Sequence, residues 1–523
     1  MKNSVESAKN FNEILGFKDL FANLKKDLRF SRLGKPFKTS ENNYFFDSGT
    51  GKVLMVNEDI YLILECLWNT DEFDRLLELE MSSKNLLNGL KEIEEAVKSE
   101  SILQMPPVKK MLSHVDAPSN QTKLISLEVT ERCNLRCKYC IYHEGEAGFR
   151  TFGTKDIDLD TAKKAVDILS RSAKEDVYIT FCGGEPLLRF DIIKDTIEYC
   201  KIKLHNKKVV YNMTTNATLI TEEIANYWAS LEHHITTVSL DGPELIHDQN
   251  RVFCNGNGSF QIVMHGLKRL VEAEGAKAAD NINYNIVLAD TSVETLEEIQ
   301  HFFRNSEHIP AGSSLSTSYQ ITSPEKTSYL GVGTEGDRQL SETKRQRIDP
   351  LIKWSVDKLN SGISDIDKQK LISKDSYDKA LASIHNRMLL DEPVQQFPMN
   401  GCCTPGVGRV YITVNGELAI CERMGTSPFI GTINEGLDYE KINKHYINDF
   451  MNEATKYCND CWAVNICHLC YKQCYDRDGI NISYRHEKCL EYRVITEQRL
   501  VLYHEILEKN PESLEYLNEI FYG

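Results

Sequence analysis

Cys133, Cys137 and Cys140 lie in the run Glu131-Arg132-Cys133-Asn134-Leu135-Arg136-Cys137-Lys138-Tyr139-Cys140, with C-x3-C-x2-C spacing. Four thiolates normally saturate a cubane iron–sulfur cluster. Three on one tight loop leave an iron free for an outside ligand, and that open position is where chemistry would occur. A structural zinc site would need a fourth Cys or His close by, and His143 is the nearest candidate. Purely structural thiols or a disulfide are the other bland alternatives.

The rest of the chain favours metal. It has 523 residues, enough for roughly three domains, and 16 cysteines. Met1 to Phe17 contains no continuous apolar core of a secretion signal, and no stretch approaches the ~20 apolar residues of a membrane span. A cytoplasmic, reducing location is therefore expected, where disulfides are rare. Most of the cysteines fall in the 133–140 triplet or between Cys403 and Cys489. Cys66, Cys182, Cys200 and Cys254 are scattered and read as small buried hydrophobes. A net charge of −16 argues against broad nucleic-acid binding.

Elements that could position the triplet follow it in a simple alternation. Strand-length apolar runs (Leu124–Val129, Val177–Phe181, Lys208–Met213, Thr236–Leu240, Ile282–Leu288) are separated by helical patterns (Asp160–Ser170, Ile192–Lys201, Glu222–Leu231, Ile262–Glu274, Val293–Phe303). This specifies a parallel sheet with helical crossovers, open or closed into a full or partial barrel. The cysteine loop, Gly183-Gly184-Glu185-Pro186, Thr214-Thr215-Asn216 and Ser239-Leu240-Asp241-Gly242-Pro243 all come just after a strand. In a parallel barrel such positions share the C-terminal rim. Singly, each is also a respectable turn or helix cap.

Taken together, residues 123–303 resemble the radical S-adenosylmethionine (SAM) superfamily, whose fold is a partial (β/α)6 barrel. The resemblance implies that Cys133, Cys137 and Cys140 hold a 4Fe–4S cluster and that Tyr139 lies beside the adenine. It implies that Gly183, Gly184 and Glu185 take the methionine amino group. Asn216, Ser239 and Asp241 would approach the ribose, and Arg251, in His247-Asp248-Gln249-Asn250-Arg251, the carboxylate.

Cys403, Gly416 and Cys421, then Cys458-x2-Cys461-x5-Cys467-x2-Cys470-x3-Cys474 and Cys489, resemble the SPASM extension with two auxiliary 4Fe–4S clusters. A pair of zinc ribbons is the alternative. By resemblance one cluster takes Cys458, Cys461, Cys467 and Cys489. The other takes Cys403, Cys421 and either Cys470 or Cys474, with Cys470 favoured; Cys402 beside Cys403 leaves a similar choice open. With only three cysteines, this cluster too would have an open iron.

Residues 38–104 suggest two or three short strands, including Asn43-Tyr44-Phe45-Phe46-Asp47 and Lys52-Val53-Leu54-Met55-Val56-Asn57, followed by helices at 58–69, 71–80 and 84–99. An antiparallel edge beside helices can recruit an extended peptide as an added strand. The region resembles the small α+β, winged-helix-like leader-recognition domains of ribosomal-peptide maturases, and is expected to bind without help from the barrel. A plain structural cap would show the same pattern. Lys344-Arg345-Gln346-Arg347 reads as a solvated face.

The expected organisation is an N-terminal helical segment (1–37), a recognition domain (38–115), the barrel (120–325), a helical bridge (326–399), the auxiliary-cluster domain (400–492) and a closing helix (493–523). The resemblance implies an oxidoreductase in which no side chain but a 5′-deoxyadenosyl radical, made from SAM, takes hydrogen from a precursor peptide bearing a leader. A flavodoxin or ferredoxin would supply the electron. The expected product is a crosslink, a Cys thioether of the sactipeptide or ranthipeptide type. Alternatives are epimerisation, carbon–carbon crosslinking, a sulfatase-maturating type, or a non-catalytic iron–sulfur or zinc protein that docks peptides.

Overall fold

The computed structural model describes residues 2–108, 111–112, 120–142, 151–320, 350–360, 371–395, 397–398, 403–425, 427–470, 472, 474–476 and 479–520. His143, Cys402 and Lys344–Arg347, singled out in the sequence, lie outside the described residues.

The N-terminal region forms a three-stranded antiparallel sheet, β1 (Gly34–Lys38), β2 (Asn43–Asp47) and β3 (Val53–Val56), in that spatial order. Two helices follow, Glu58–Thr70 and Ser83–Ser99. Each begins at a side chain that accepts an otherwise orphaned backbone N–H: Asn57 from Ile60, Ser82 from Asn85. β1 begins at Gly34, four residues before the expected domain boundary. The two-residue strand β4 (Met111–Leu112) leads towards the barrel.

Strands β5 (Thr122–Thr130), β6 (Asp176–Gly183), β7 (Lys208–Thr215), β8 (His234–Ser239), β9 (Ile282–Leu288) and β10 (Leu315–Tyr319) are parallel and adjacent in sequence order. The intervening helices include Leu159–Ser170, Phe190–Lys203, Glu222–Ala229, Phe260–Glu274 and Val293–Asn305. This is the expected mixed α/β fold with a parallel sheet. The sixth strand, Leu-Ser-Thr-Ser-Tyr, has no apolar run to announce it.

Strand alternation divides the sheet into two faces. Ile125, Leu127, Val129, Ile179 and Phe181 are buried in one apolar core with Ala162, Val166, Ile193 and Ile197 of the helices. Register places Ser126, Glu128, Thr180, Cys182 and Asn212 together on the opposite face.

The sheet continues beyond β5. The short β11 (Phe397–Pro398) pairs with β4, and β12 (Gly408–Ile412) then adds to β5 in parallel, with Tyr411 opposite Ser126. β13 (Glu417–Ala419), β14 (Gly431–Thr432) and β15 (Gly436–Leu437) extend it as antiparallel strands. The segment 408–437, which carries Cys421, is therefore part of the same sheet as β5–β10. One helix, Ile482–Lys509, carries Cys489 and runs across residue 492, where the sequence reading sets a boundary. Among the described residues no helix is long and apolar enough to cross a membrane.

The β12–β13 turn depends on Gly416, whose φ is +78° and whose N–H donates to Thr413 O at 2.9 Å. A Cβ there would lie 2.7 Å from Ile433 Cγ2. Left-handed backbone costs an L-residue about 1–2 kcal/mol. Gly416→Ala is expected to lower the thermal-denaturation midpoint accordingly, and an unchanged midpoint would show that the hairpin does not need this turn.

Candidate functional site

The cysteine loop leaves the end of β5 and is tied down on both sides. Arg136 N donates to Val252 O (2.7 Å) and Lys138 N to Asn250 O (3.0 Å). On the other flank Gly184 N donates to Thr130 O (2.8 Å) and Glu185 N to Arg132 O (2.9 Å). The two glycines are there because the backbones nearly touch. A Cβ on Gly183 (φ +149°) would sit 2.3 Å from Thr130 O, and one on Gly184 2.1 Å from Arg132 O. No side chain fits between the end of β6 and the loop.

The three thiols share this enclosed space. Burial pushes Cys133 up to about 12 and Cys140 to about 11, and the neighbouring thiols push both further from ionisation. Cys137 is also raised, by burial, against the pull of the Arg251 guanidinium. Clustered thiols that resist ionisation without a counter-charge are a donor set suited to a polynuclear cation, which replaces their protons.

Around them runs a polar bridge. Arg251 Nη1 donates to Tyr139 Oη (2.8 Å), and Tyr139 Oη–H donates to Asp241 Oδ2. Asp241 Oδ1 accepts from Val287 N (3.1 Å). Arg251 is buried, and its Nε has no hydrogen-bond partner among the described residues. A cavity lined by Asp241, Gln249, Val287, Asp290 and Ile299 opens beside the bridge. Ser239, at the end of β8, is buried on this rim, opposite Asn285.

Two expected site residues are already engaged. The Glu185 carboxylate is fully buried and accepts from Thr215 Oγ1 (2.6 Å), Asn216 N (2.8 Å) and Leu187 N (3.1 Å), so it locks β6 to β7. Asn216 Nδ2 donates to Asn134 Oδ1 (2.9 Å), while its Oδ1 accepts from Thr218 N (3.0 Å) and Thr218 Oγ1 (2.6 Å). Its side chain thus ties the cysteine loop to the end of β7.

Sequence reasoning passed over His247 as a positioning residue. Its Nε2 lies 3.0 Å from Ser259 Oγ, which donates to Arg251 O (2.7 Å). With that hydroxyl proton committed, Nε2–H donates to Ser259 and Nδ1 accepts from Asp241 N (3.4 Å). The ring must be neutral, consistent with a pKa lowered to about 3 by burial and by Arg251. One imidazole thus fixes the backbone at both Asp241 and Arg251. Its place in the 247–251 run was visible in the sequence, but its two partners were not.

The C-terminal cysteines fall into two sets. Cys403, Cys421 and Cys470 are near enough to influence one another: burial raises Cys421 to about 12, with contributions from Glu422, Cys470 and Cys403. Cys403 is raised by burial and by Cys470. Cys474 is fully buried in the apolar core, its Sγ–H directed at Cys470 O (3.8 Å). In the other set burial raises Cys461 to about 12, Arg493 opposes the rise, and Cys467 and Cys489 add to it. Cys458 ends helix Phe450–Cys458 three residues before Cys461. Among the described residues no three His, Cys, Asp or Glu side chains are grouped so as to hold a single metal ion; buried thiols are the donor type that an iron–sulfur cluster would need.

The scattered cysteines do not all behave as small hydrophobes. Cys200 is buried in the core, but Cys254 is exposed. Cys182 is half-buried beside Glu128 on the face opposite the helices, where it raises the Tyr142 phenol that burial has already raised.

Removing Arg251 takes a buried guanidinium from this bridge. Charge-assisted hydrogen bonds are worth about 1.5–3 kcal/mol. Arg251→Ala is therefore expected to weaken SAM binding by roughly 10- to 150-fold, measured by equilibrium dialysis. Unchanged affinity would remove Arg251 from the site.

Residues 127–303 match the Radical SAM superfamily. The chain is 33% identical over 208 residues to an uncharacterised protein of Methanocaldococcus jannaschii, a match spanning 40% of this chain and 65% of that protein. It is 29% identical over 184 residues to a cysteine-type anaerobic sulfatase-maturating enzyme of Clostridium novyi, spanning 34% of this chain and 46% of the enzyme. The chain thus spans less than two thirds of either relative. A third match covers nearly everything: 23% identity over 509 residues to the radical SAM cyclopropyl synthase TigE of Paramaledivibacter caminithermalis, 91% of this chain and 96% of that one. Among solved structures, AdoMet-bound anSMEcpe superposes with a TM-score of 0.52 at 19% identity, covering 76% of this chain and all of the other. The fold is shared at that level. The matched stretch, from the end of β5 through β9 and including the three-cysteine loop, is a radical SAM domain.

Proposed function

We propose that this chain is an oxidative peptide maturase: it takes a hydrogen atom from a bound precursor peptide in the barrel and passes the surplus electron to an auxiliary cluster as a new bond forms. The observation that supports this is a second thiol set, Cys403, Cys421 and Cys470, near enough to influence one another and flanking the β12–β13 hairpin that extends the sheet from β5. Cys133, Cys137 and Cys140 would hold the cluster, SAM bound beside it would supply the hydrogen-abstracting chemistry, and the protein's contribution is aim and exclusion.

The chain's residues divide that work. Arg251 offers a guanidinium to the methionine carboxylate, and the backbone at Gly183–Glu185 is left for the amino group because the Glu185 carboxylate is engaged. The cavity beside Asp241 suits a nucleoside, and Ser239 lies two residues before Asp241 at the end of β8. Cys458, Cys461, Cys467 and Cys489 make a closed four-thiolate set. Cys403, Cys421 and Cys470 make a three-thiolate set with room for a substrate ligand. The peptide leader adds to the outer edge of β3, which pairs only with β2 among the described residues and displays Met55, 64% exposed. A ferredoxin or flavodoxin would deliver the electron.

A Cys thioether is the product this arrangement serves best, since an open iron can hold a substrate thiolate. The near full-length similarity to a cyclopropyl synthase favours a second reading, ring closure between two carbons. Both remove two hydrogens, but only the thioether consumes a thiol. Mass spectrometry of the short peptide encoded beside this chain, after co-expression and alkylation, separates them. Unchanged peptide mass would overturn both.

Cys421→Ala is expected to keep releasing 5′-deoxyadenosine from SAM and dithionite while modifying no peptide. The triple variant Cys133→Ala, Cys137→Ala, Cys140→Ala should release none. If Cys421→Ala, its cluster shown to be lost, still matured peptide at the normal rate, the electron-accepting role would be wrong.

A further inference from the structure

We propose that the N-terminal sheet is a wall of the Cys458/Cys461/Cys467/Cys489 site, with Arg32, Ser48 and Asn465 as the positioning residues that hold its loop in place. This rests on the reading of those four cysteines as one cluster site.

The loop between Cys458 and Cys467 is gripped from the N-terminal side at three points. Arg32 is completely buried, and its guanidinium donates to Asn459 O (2.9 Å), Met105 O (2.8 Å) and Pro106 O (2.5 Å). Val108 N donates to Asn459 Oδ1 (2.8 Å), so Asn459 is held through both its backbone and its side chain. Ser48 Oγ donates to Trp462 O (2.6 Å), and Asn465 Nδ2 donates back to Ser48 O. Ser48 sits in the turn between β2 and β3. Trp462 itself is fully buried, edge-on to Phe46 of β2 with ring centroids 6.0 Å apart.

The fourth thiol is held by the same sheet. Cys489 lies on helix Ile482–Lys509. Further along that helix, His504 packs on Phe37 and Tyr44. The Glu508 carboxylate accepts from Thr39 Oγ1 (2.8 Å), Asn42 Nδ2 (2.9 Å) and Tyr44 Oη (2.8 Å). Lys35 reaches Glu497 at 3.2 Å. Both segments that supply the four cysteines are thus fastened to β1 and β2, and the interface buries apolar side chains from each: Phe37, Phe46 and Trp68 on one side, Trp462, Leu500 and Tyr503 on the other. A buried guanidinium serving three carbonyls leaves all three unpaired if it is removed, so the contact is costly to open.

The test uses the full-length protein, purified without oxygen, as Arg32→Met, Ser48→Ala and Asn465→Ala. Iron per chain, the EPR spectrum of the reduced protein and the rate of iron loss to a ferrous chelator are compared with wild type. Arg32→Met should lose roughly a third of its iron, one cluster of three. Ser48→Ala and Asn465→Ala should give up one EPR component to the chelator several-fold faster than wild type. All should still release 5′-deoxyadenosine from SAM and dithionite, because the barrel loop is untouched. Should Arg32→Met not fold, the two milder variants decide. Wild-type iron content and chelation rates throughout would overturn the proposal, as would equal loss from every cluster, the mark of general destabilisation. Cys458→Ala separates this from the reading beneath it: if that variant keeps all its iron, the cluster assignment itself has failed.

Discussion

β5 has parallel neighbours on both sides, and the placement of all the candidate chemistry follows from that. Ser126 faces Thr180 of β6 on one flank and Tyr411 of β12 on the other, although Tyr411 is nearly three hundred residues away in sequence. Parallel pairing sends all three strands towards the same rim, so the loop after β5, the Gly-Gly-Glu turn after β6 and the hairpin after β12 emerge together. The electrostatics record the result. Tyr142, two residues past Cys140, is raised by burial and then by Cys182, Cys140 and Glu422, and Glu422 adjoins Cys421. A single phenol therefore feels both Cys140 of the three-cysteine loop and Glu422 beside Cys421. Strand order thus brings the end of the three-cysteine loop within electrostatic range of the segment that follows β13.

That closeness makes demands on the polar residues at the rim. Buried carboxylates are costly unless hydrogen-bonded. Glu185, which burial pushes upward, is held by donors from Asn216, Thr215 and Leu187. Asp241, raised by burial too, is met by the Arg251 charge, Tyr139 and Val287. These groups spend their capacity on architecture. Arg251 Nε remains without a partner among the described residues, so the guanidinium, and neither carboxylate, is the group with hydrogen-bonding capacity to spare.

Much of this was legible in the sequence where the physics is local. The strands from Leu124 to Leu288 announce themselves through runs of Val, Ile and Leu buried against helices, and the cysteine spacing needs no tertiary information. β10 was missed because Ser316, Thr317 and Ser318 lack the apolar alternation that marks a half-buried strand. β12 was missed because its partner is remote, and long-range pairing leaves no trace in a short window. Cys182 reads as a buried hydrophobe because it stands apart from the cysteine groups, yet strand alternation turns it to the face opposite Phe181. The choice between Cys470 and Cys474 likewise rests on burial: Cys470 lies within reach of Cys403 and Cys421, and Cys474 is sealed among apolar side chains.

The N-terminal region shows most clearly why a family pattern can mislead about mechanical independence. Read alone, residues 38–104 look like a self-contained recognition unit, because strands followed by amphipathic helices account for their own hydrophobic residues. The structure places all of β1 but Lys38 before residue 38 and sets Phe37, Tyr44 and Phe46 against Trp462, Leu500 and Tyr503. Cut free, the sheet would expose that aromatic face and leave Arg32 without Asn459. A peptide strand added to β3 would extend a hairpin whose turn, at Ser48, already grips Trp462 and Asn465. The β3 edge and the 458–467 loop are then two ends of one packed element, so a strand added at β3 would act on that loop through contacts already in place.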